Sequence, residues 1–112
     1  MPLYLTIGYG NREGYDRTPA TLRDTAHSHD QTLVARGAVM GMAGAPVQVR
    51  NPEGQGVQTL NAAFMGSDLP VAGFALIEAA SLEDAVEMAA QTPCTICYGV
   101  VEIWPLVQDD VG

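Results

Sequence analysis

Residues 71–85, VAGFALIEAASLEDA, decide the fold class because they join an apolar strand to a capped helix. The first seven residues are almost uninterruptedly apolar, as expected of a central strand that is buried on both faces or paired across an interface. Ser81 precedes Asp84 by three residues, which is the spacing of a side-chain cap at a helix N-terminus. The stretch predicts a strand over 71–77, then a helix that ends before Pro93.

The N-terminal third predicts a second strand and helix. Leu3–Tyr9 alternates between two sets of side chains and is rich in aromatic and β-branched residues, which favours a strand. Residues 8–18 contain three glycines and show no periodicity, so we expect a loop in which Thr18 caps the next helix. Apolar side chains then recur at helical spacing up to Gly37, and they predict a helix over 19–36.

The remaining predicted strands are short: 38–42, a hairpin of 47–50 with 57–60, and 99–104. We expect Pro105 to stop the ladder of the last strand. The order follows the split β-α-β pattern of ferredoxin-like folds, with additional strand content. We therefore predict one α+β domain over 1–106 with an antiparallel sheet, helices on one face and a C-terminal tail at 107–112. The bare sheet face would be buried in a face-to-face homodimer.

Composition excludes several classes of function. The 112 residues include 13 acidic and 5 basic side chains, for a formal charge of -8. Nucleic acids and anionic membrane surfaces attract clustered cations, so neither is an expected partner. All five basic residues are arginines. Without lysine the chain has no Schiff-base nucleophile and no P-loop.

The sequence contains no recognisable targeting signal. The N-terminus lacks a basic segment before a long apolar run, and no apolar stretch approaches the roughly 20 residues that a membrane helix needs. The expected location is the cytoplasm. Cys94 and Cys97 are too close in sequence to link distant parts of the chain by a disulfide.

Four blocks in the second half carry a family resemblance: Leu60–Phe64 (LNAAF), Ala72–Ala79 (AGFALIEA), Ser81–Ala85 (SLEDA) and Val101–Leu106 (VEIWPL). In type and spacing they resemble the DGPF, GGYYLI, SLDEA and VEVRP segments of the YCII-related family, including its DGPF branch. The resemblance spans about residues 3–106. It implies a dimeric ferredoxin-like α+β barrel. A few members of the family are small enzymes that act on aromatic or hydroxylated ring compounds. In the YCII branch, a histidine and an aspartate have been proposed as catalytic.

The chain departs from the family at its most polar positions. The DGPF aspartate falls on Asn61, and only Phe64 keeps the motif. Trp104 stands where the family segment has arginine. The family histidine, counted back from the helix-ending glycine, falls on Ala26.

Two histidines lie near that position, and His29 is the candidate catalytic residue. His29 shares the apolar stripe of its predicted helix with Leu22 and Leu33, whereas His27 points away from it. An imidazole at a cleft can act as acid or base near neutral pH. The alternative is a hydrogen-bonded core histidine.

Four further residues are candidates for substrate binding. Arg36 either clamps a carboxylate or phenolate, or stabilises the helix C-terminus. Asn61 and Asp68 flank Phe64 and either line the mouth of a cleft or are turn residues. We expect this cleft to lie between the first predicted helix and the Phe64 segment.

No metal or cofactor is expected. The Cys94-Thr95-Ile96-Cys97 spacing is that of a redox pair, but we expect it to follow Pro93 and lead into a strand instead of opening a helix. A tetrahedral metal site needs further ligands, and the histidines lie on a different element. Buried free cysteines that act as small apolar residues are the alternative.

The sequence leaves open whether the protein is an enzyme. The first hypothesis is a dimeric, YCII-like protein that binds a small organic molecule, including aromatic ones. It would use His29 as acid or base in a cofactor-free isomerase or lyase step. The second hypothesis is a non-catalytic binding or accessory domain, which the loss of the DGPF aspartate favours. A third is a purely structural dimer module.

Overall fold

The computed structural model describes residues 1–107, and its main sheet is built around strand β1 (Leu3–Tyr9). On one side β1 pairs with β5 (Val71–Glu78), and on the other with β6 (Val100–Leu106). Strand β2 (Val39–Met42) pairs with the far side of β5. The strand order is β2-β5-β1-β6, with every neighbouring pair antiparallel. The predicted α+β class and antiparallel sheet are confirmed.

Helices connect the strands. Those among the described residues are α1 (Arg12–Asp16), α2 (Ala20–Ala35), α3 (Leu82–Ala90) and α4 (Pro93–Ile96). The helix predicted over 19–36 is found as α2, and Gly37 follows it with φ of 107°, a left-handed conformation that glycine adopts without strain. The Ser81 cap is confirmed, since its Oγ accepts a hydrogen bond of 3.2 Å from the Asp84 N–H.

The predicted loop over 8–18 is wrong in its middle, where α1 forms. Asn11 caps this short helix by accepting a 2.9 Å hydrogen bond from the Gly14 N–H. A five-residue helix is too short to show apolar periodicity, so the sequence pattern missed it. Thr18 does not cap α2, because its hydroxyl donates to the Gly14 carbonyl at 2.8 Å and Pro19 occupies the cap position.

Two segments that contain proline differ from the prediction. Pro105 does not stop the last strand: it pairs with Tyr4, and the ladder continues to Leu106. The strand lies at the edge of the sheet, where a missing N–H is tolerated. The helix before Pro93 ends at Ala90, as predicted. Pro93 then occupies the first turn of α4, so the two cysteines belong to a short helix and its end and do not lead directly into a strand.

The two faces of the main sheet differ in cover. On the helix-covered face, Tyr4 and Ile77 are buried in one cluster with Ala79 and Ala85, the latter from α3. The other face, here called the open face, carries Leu5, Phe74 and Trp104, since cross-strand partners point to the same side. Phe74 is 42% exposed and Trp104 55% exposed. The bare apolar face expected from the sequence is present in the protomer.

The core of the protomer is thin for its composition. Among residues 1–107, no large side chain is completely buried. On α3, Ala85 and Ala89 are buried, whereas Leu82 and Val86 are about half exposed. The radius of gyration, 15.9 Å, exceeds the about 13 Å expected of a compact domain of this size.

The predicted hairpin is confirmed, but it does not join the main sheet. Strands β3 (Gln48–Arg50) and β4 (Gln58–Leu60) form a separate two-stranded sheet. They belong to a segment over residues 43–70, here called the flap, which leaves and re-enters the main sheet between β2 and β5. The Ala43 N–H donates to the Ala72 carbonyl at 2.8 Å and fixes one end of the flap.

No helix among the described residues combines the length and hydrophobicity needed to cross a bilayer. Of the predicted tail, 107–112, all but Val107 lies outside the described residues.

Candidate functional site

A cavity lies between the flap and one end of the open face. Its volume is about 920 Å³. Tyr9 and Phe74 contribute from the main sheet, and the rest of the lining comes from the flap and the first residues of β5. The lining consists mainly of small and apolar residues, among them Ala43, Pro46, Val47, Val49, Ala63, Phe64, Met65, Leu69, Pro70 and Val71. A cavity of this kind suits an organic molecule with an apolar body.

Arg50 is the only charged residue among those of the described chain that line the cavity. Its guanidinium donates a 2.6 Å hydrogen bond to Oε1 of Gln48, two residues earlier on the same strand face. The Nε2 amide of Gln48 donates in turn to the Ala62 carbonyl at 3.0 Å. The Arg50 carbon Cζ lies 5.5 Å from the ring centre of Phe64. These contacts hold the cation in place without neutralising it.

A second polar group at the cavity is the hydroxyl of Tyr9. It donates to a Glu102 carboxylate oxygen at 3.0 Å and lies 3.6 Å from the sulfur of Met65. Desolvation at this partly buried site and, secondarily, the hydrogen bond and negative charge of Glu102 raise the pKa of the Tyr9 hydroxyl. The phenol therefore stays protonated at neutral pH.

Of the predicted binding residues, only Phe64 lines this cavity. Asn61 and Asp68 are exposed flap residues that border the lining without forming part of it. The neighbours Ala62, Ala63 and Ser67 take the lining positions instead. Side-chain direction within an irregular loop depends on the turn geometry, which the sequence pattern did not specify.

His29 and Arg36 lie in the helix layer, on the other side of the main sheet from the cavity. The Nε2–H of His29 donates to the Met88 carbonyl on α3 at 2.8 Å. The expected cleft between the first predicted helix and the Phe64 segment is therefore not formed. Of the predicted apolar stripe, Leu33 is buried but Leu22 is half exposed, and His29 contacts α3 instead of the flap.

Arg36 ends α2. It is the C-cap residue of this helix and is exposed. It also borders a cavity of about 40 Å³ with Leu33 and Met88, which holds one or two waters at most. His27, the other histidine, is exposed on α2 and hydrogen-bonds the Tyr15 hydroxyl at 2.8 Å.

A buried acidic group lies near the cysteine pair. Asp30 on α2 is partly buried, and its Oδ1 is buried without a hydrogen-bond partner in the described part of the chain. Burial raises the pKa of its carboxyl, and the charges of His29 and His27 oppose this shift. Burial, followed by the charges of Asp30 and Cys97, raises the pKa of the Cys94 thiol. A thiol of raised pKa is a weak nucleophile.

Within residues 1–107, no three side chains of His, Cys, Asp or Glu are grouped as ligands of one ion.

The sequence analysis missed Arg50, and one signal was available. Arg50 is the only arginine after Arg36, and it alternates with Gln48 on a predicted hairpin strand. An isolated cation among apolar residues indicates either a buried ion pair or an anion site. Sequence alone gives no means of placing it over the main sheet.

Comparison with known proteins adds no relative to this picture. No protein-family model matches the chain, and no curated protein matches it.

Proposed function

We propose that this protein binds a small organic molecule, including aromatic ones, in the cavity between the flap and the open face. The cavity itself is the observation that carries the proposal. Its volume of about 920 Å³ lies within the range of roughly 300–1,000 Å³ typical of ligand sites. Its lining is apolar with few polar groups, which is the usual composition of such a site.

The fold we propose is a YCII-like, ferredoxin-like domain that forms a dimeric α+β barrel. The order β2-β5-β1-β6 supports it, because the split β-α-β pattern interleaves its strands in this way once the hairpin is set aside. The sequence blocks around Phe64, Ser81 and Trp104 support the family assignment, and Phe64, the retained residue of the DGPF-like block, lines the cavity.

The proposed dimer is a homodimer through the open face. Trp104 and Leu106 on β6, Phe74 on β5 and Val39 on β2 are all substantially exposed on this face. Because no large side chain within residues 1–107 is fully buried, this apolar area is the main further source of hydrophobic stabilisation. In a two-fold homodimer the same face of each copy packs against the other, which buries the apolar area of both.

Binding without catalysis is the function the geometry favours. A cofactor-free isomerase or lyase step needs its acid or base within hydrogen-bond reach of the reacting atom. His29 lies on the helix-covered side of the sheet, where its Nε2 is engaged with Met88. The position of the DGPF aspartate holds Asn61, which does not exchange a proton near neutral pH. A small-molecule-binding or accessory role therefore replaces the histidine-based reaction as the leading hypothesis.

The proposed partners are a second copy of the chain and the organic ligand. A formal charge of -8 disfavours nucleic acid and anionic membranes as partners, and we place the protein in the cytoplasm.

A cavity-filling variant tests the proposal. We expect 2-naphthoate to raise the melting temperature of the wild type, because a ligand that binds only the folded state stabilises it by mass action. Ala63→Trp fills the cavity and should abolish this rise, whereas the control Ala35→Trp, at an exposed end of α2, should retain it. Equal responses of both variants, or no response of the wild type to apolar aromatic compounds, would contradict the proposal.

A further inference from the structure

We infer that the ligand of the flap cavity carries a carboxylate, which Arg50 holds, so that the site selects aromatic or branched apolar acids over their neutral analogues. This inference rests on the proposed binding function and specifies its ligand. The observation behind it is a single cation in an otherwise uncharged, largely apolar lining.

Arg50 contacts two uncharged side chains, Gln48 and Phe64. Arg17 also lies over an aromatic ring, so what distinguishes Arg50 is that it lines the cavity. A partly buried arginine beside apolar surface is a ready partner for an anion.

The geometry also orients the guanidinium. Gln48 accepts from Arg50 through Oε1 and donates through Nε2 to Ala62, so each atom of its amide has one compatible role. These hydrogen bonds join β3 to Ala62, which follows β4 in the flap. The contact with Gln48 occupies one of the five N–H donors of the guanidinium, and its planar fork matches a carboxylate with two parallel bonds.

Phe64 supplies the complementary apolar surface. Its ring lies beside the guanidinium, with 5.5 Å between Cζ and the ring centre, and its side chain is 80% exposed. A carboxylic acid held by Arg50 would place its apolar body against Phe64 and the floor residue Phe74. The site thus has an anion-binding end and an aromatic wall.

The negative charge of the protein does not remove this preference. Glu102, the acidic side chain that contacts Tyr9 at the edge of the cavity, is exposed to water, where screening acts over about 8 Å at physiological ionic strength. The attraction between Arg50 and a contacting carboxylate acts at hydrogen-bond distance beside apolar atoms, where screening is weakest.

Calorimetric titration of the full-length protein with matched probes tests this inference. The probes are 2-naphthoate, its neutral analogue 2-naphthamide, and acetate, which has the charge without the apolar body. We expect 2-naphthoate to bind at least about tenfold tighter than either of the others, because a hydrogen-bonded charge pair contributes roughly this much.

Two substitutions localise the preference. Arg50→Gln should reduce the affinity for 2-naphthoate to that for 2-naphthamide and leave the amide unaffected. Arg12→Gln removes the same charge from an exposed site on α1 and should change neither affinity. Circular dichroism and melting curves of both variants verify that they are folded.

The outcomes separate the two proposals. If 2-naphthamide binds as tightly as 2-naphthoate and Arg50→Gln changes neither, the carboxylate preference is overturned and the binding function stands. If acetate binds as tightly as 2-naphthoate, the site recognises only the anion and the inference is likewise overturned. If neither naphthalene compound binds, both the carboxylate preference and the proposed binding function are overturned.

Discussion

The Nε2–H of His29 donates to the carbonyl oxygen of Met88 across 2.8 Å, and this hydrogen bond joins α2 to α3. The residue that the sequence indicated as a catalyst is in this way part of the packing between two helices. An engaged imidazole of this kind contributes to stability whether or not a ligand is present.

Replacing His29 should therefore destabilise the protein without altering ligand affinity. His29→Ala removes this bond and leaves the Met88 carbonyl with only the 3.4 Å hydrogen bond from the Gln91 N–H, so we expect the free energy of unfolding to fall by about 0.5–1.5 kcal/mol in urea denaturation. His27→Ala, which affects only an exposed contact with Tyr15, is the control and should cost less. If the His29→Ala variant keeps the stability of the wild type but no longer binds 2-naphthoate, His29 belongs to the ligand site and the prediction is wrong.

Asp30 makes stability depend on pH. Its pKa is raised in the folded state by burial, so the folded protein binds this proton more tightly than the unfolded chain does. The stability linked to this group is fully present below its ordinary value of 3.8 and is lost as pH rises through the folded pKa. Asp30→Asn should abolish this loss and be more stable than the wild type at neutral pH.

Urea midpoints measured from acid to neutral pH test the Asp30 prediction. Asp24→Asn, at an exposed position of the same helix, should keep the pH dependence of the wild type. If Asp30→Asn follows the wild-type curve throughout, burial of the Asp30 carboxyl does not destabilise the fold.

A substitution at Trp104 tests the proposed homodimer. Trp104→Glu places a charge on the open face, and we expect sedimentation at micromolar concentration to change from a dimer to a monomer. Val34→Glu makes a similar change on the exposed side of α2 and should remain dimeric. A wild type that sediments as a monomer would rule out the proposed pairing.

Gly99 should tolerate no side chain. A Cβ at this position would press against the carbonyl oxygens of Tyr9 and Cys94, and backbone atoms cannot move aside as a flexible side chain does. We expect Gly99→Ala to lower the free energy of unfolding by about 1–3 kcal/mol or more. Gly44→Ala, which meets open space in the flap, is the control. Equal stability of the two variants would contradict the close approach at Gly99.

The sequence predicted the parts of the fold that depend on neighbours along the chain. The alternation in Leu3–Tyr9, the Ser81 cap and the glycine at position 37 each act within a few residues, and each was found. The continuation of β6 through Pro105 depends on the strand being at the sheet edge, which is set by pairing with distant β1.

The site was less predictable for the same reason. Phe64 was identified from a motif, but Arg50 gains its significance only from the position of the flap over the open face. For His29, helical spacing gave the correct side of the helix and no information about which element that side meets. The local sequence pattern indicates which side of a helix a side chain lies on. Which element that side contacts depends on the tertiary fold.

The most direct test of a ligand site beneath the flap is an amide NMR titration of isotope-labelled protein with 2-naphthoate. We expect saturable shift changes at Tyr9 and within residues 43–52 and 62–71, with the amides around His29 unchanged. An absence of saturable changes, or changes centred on α2 around His29, would contradict the account.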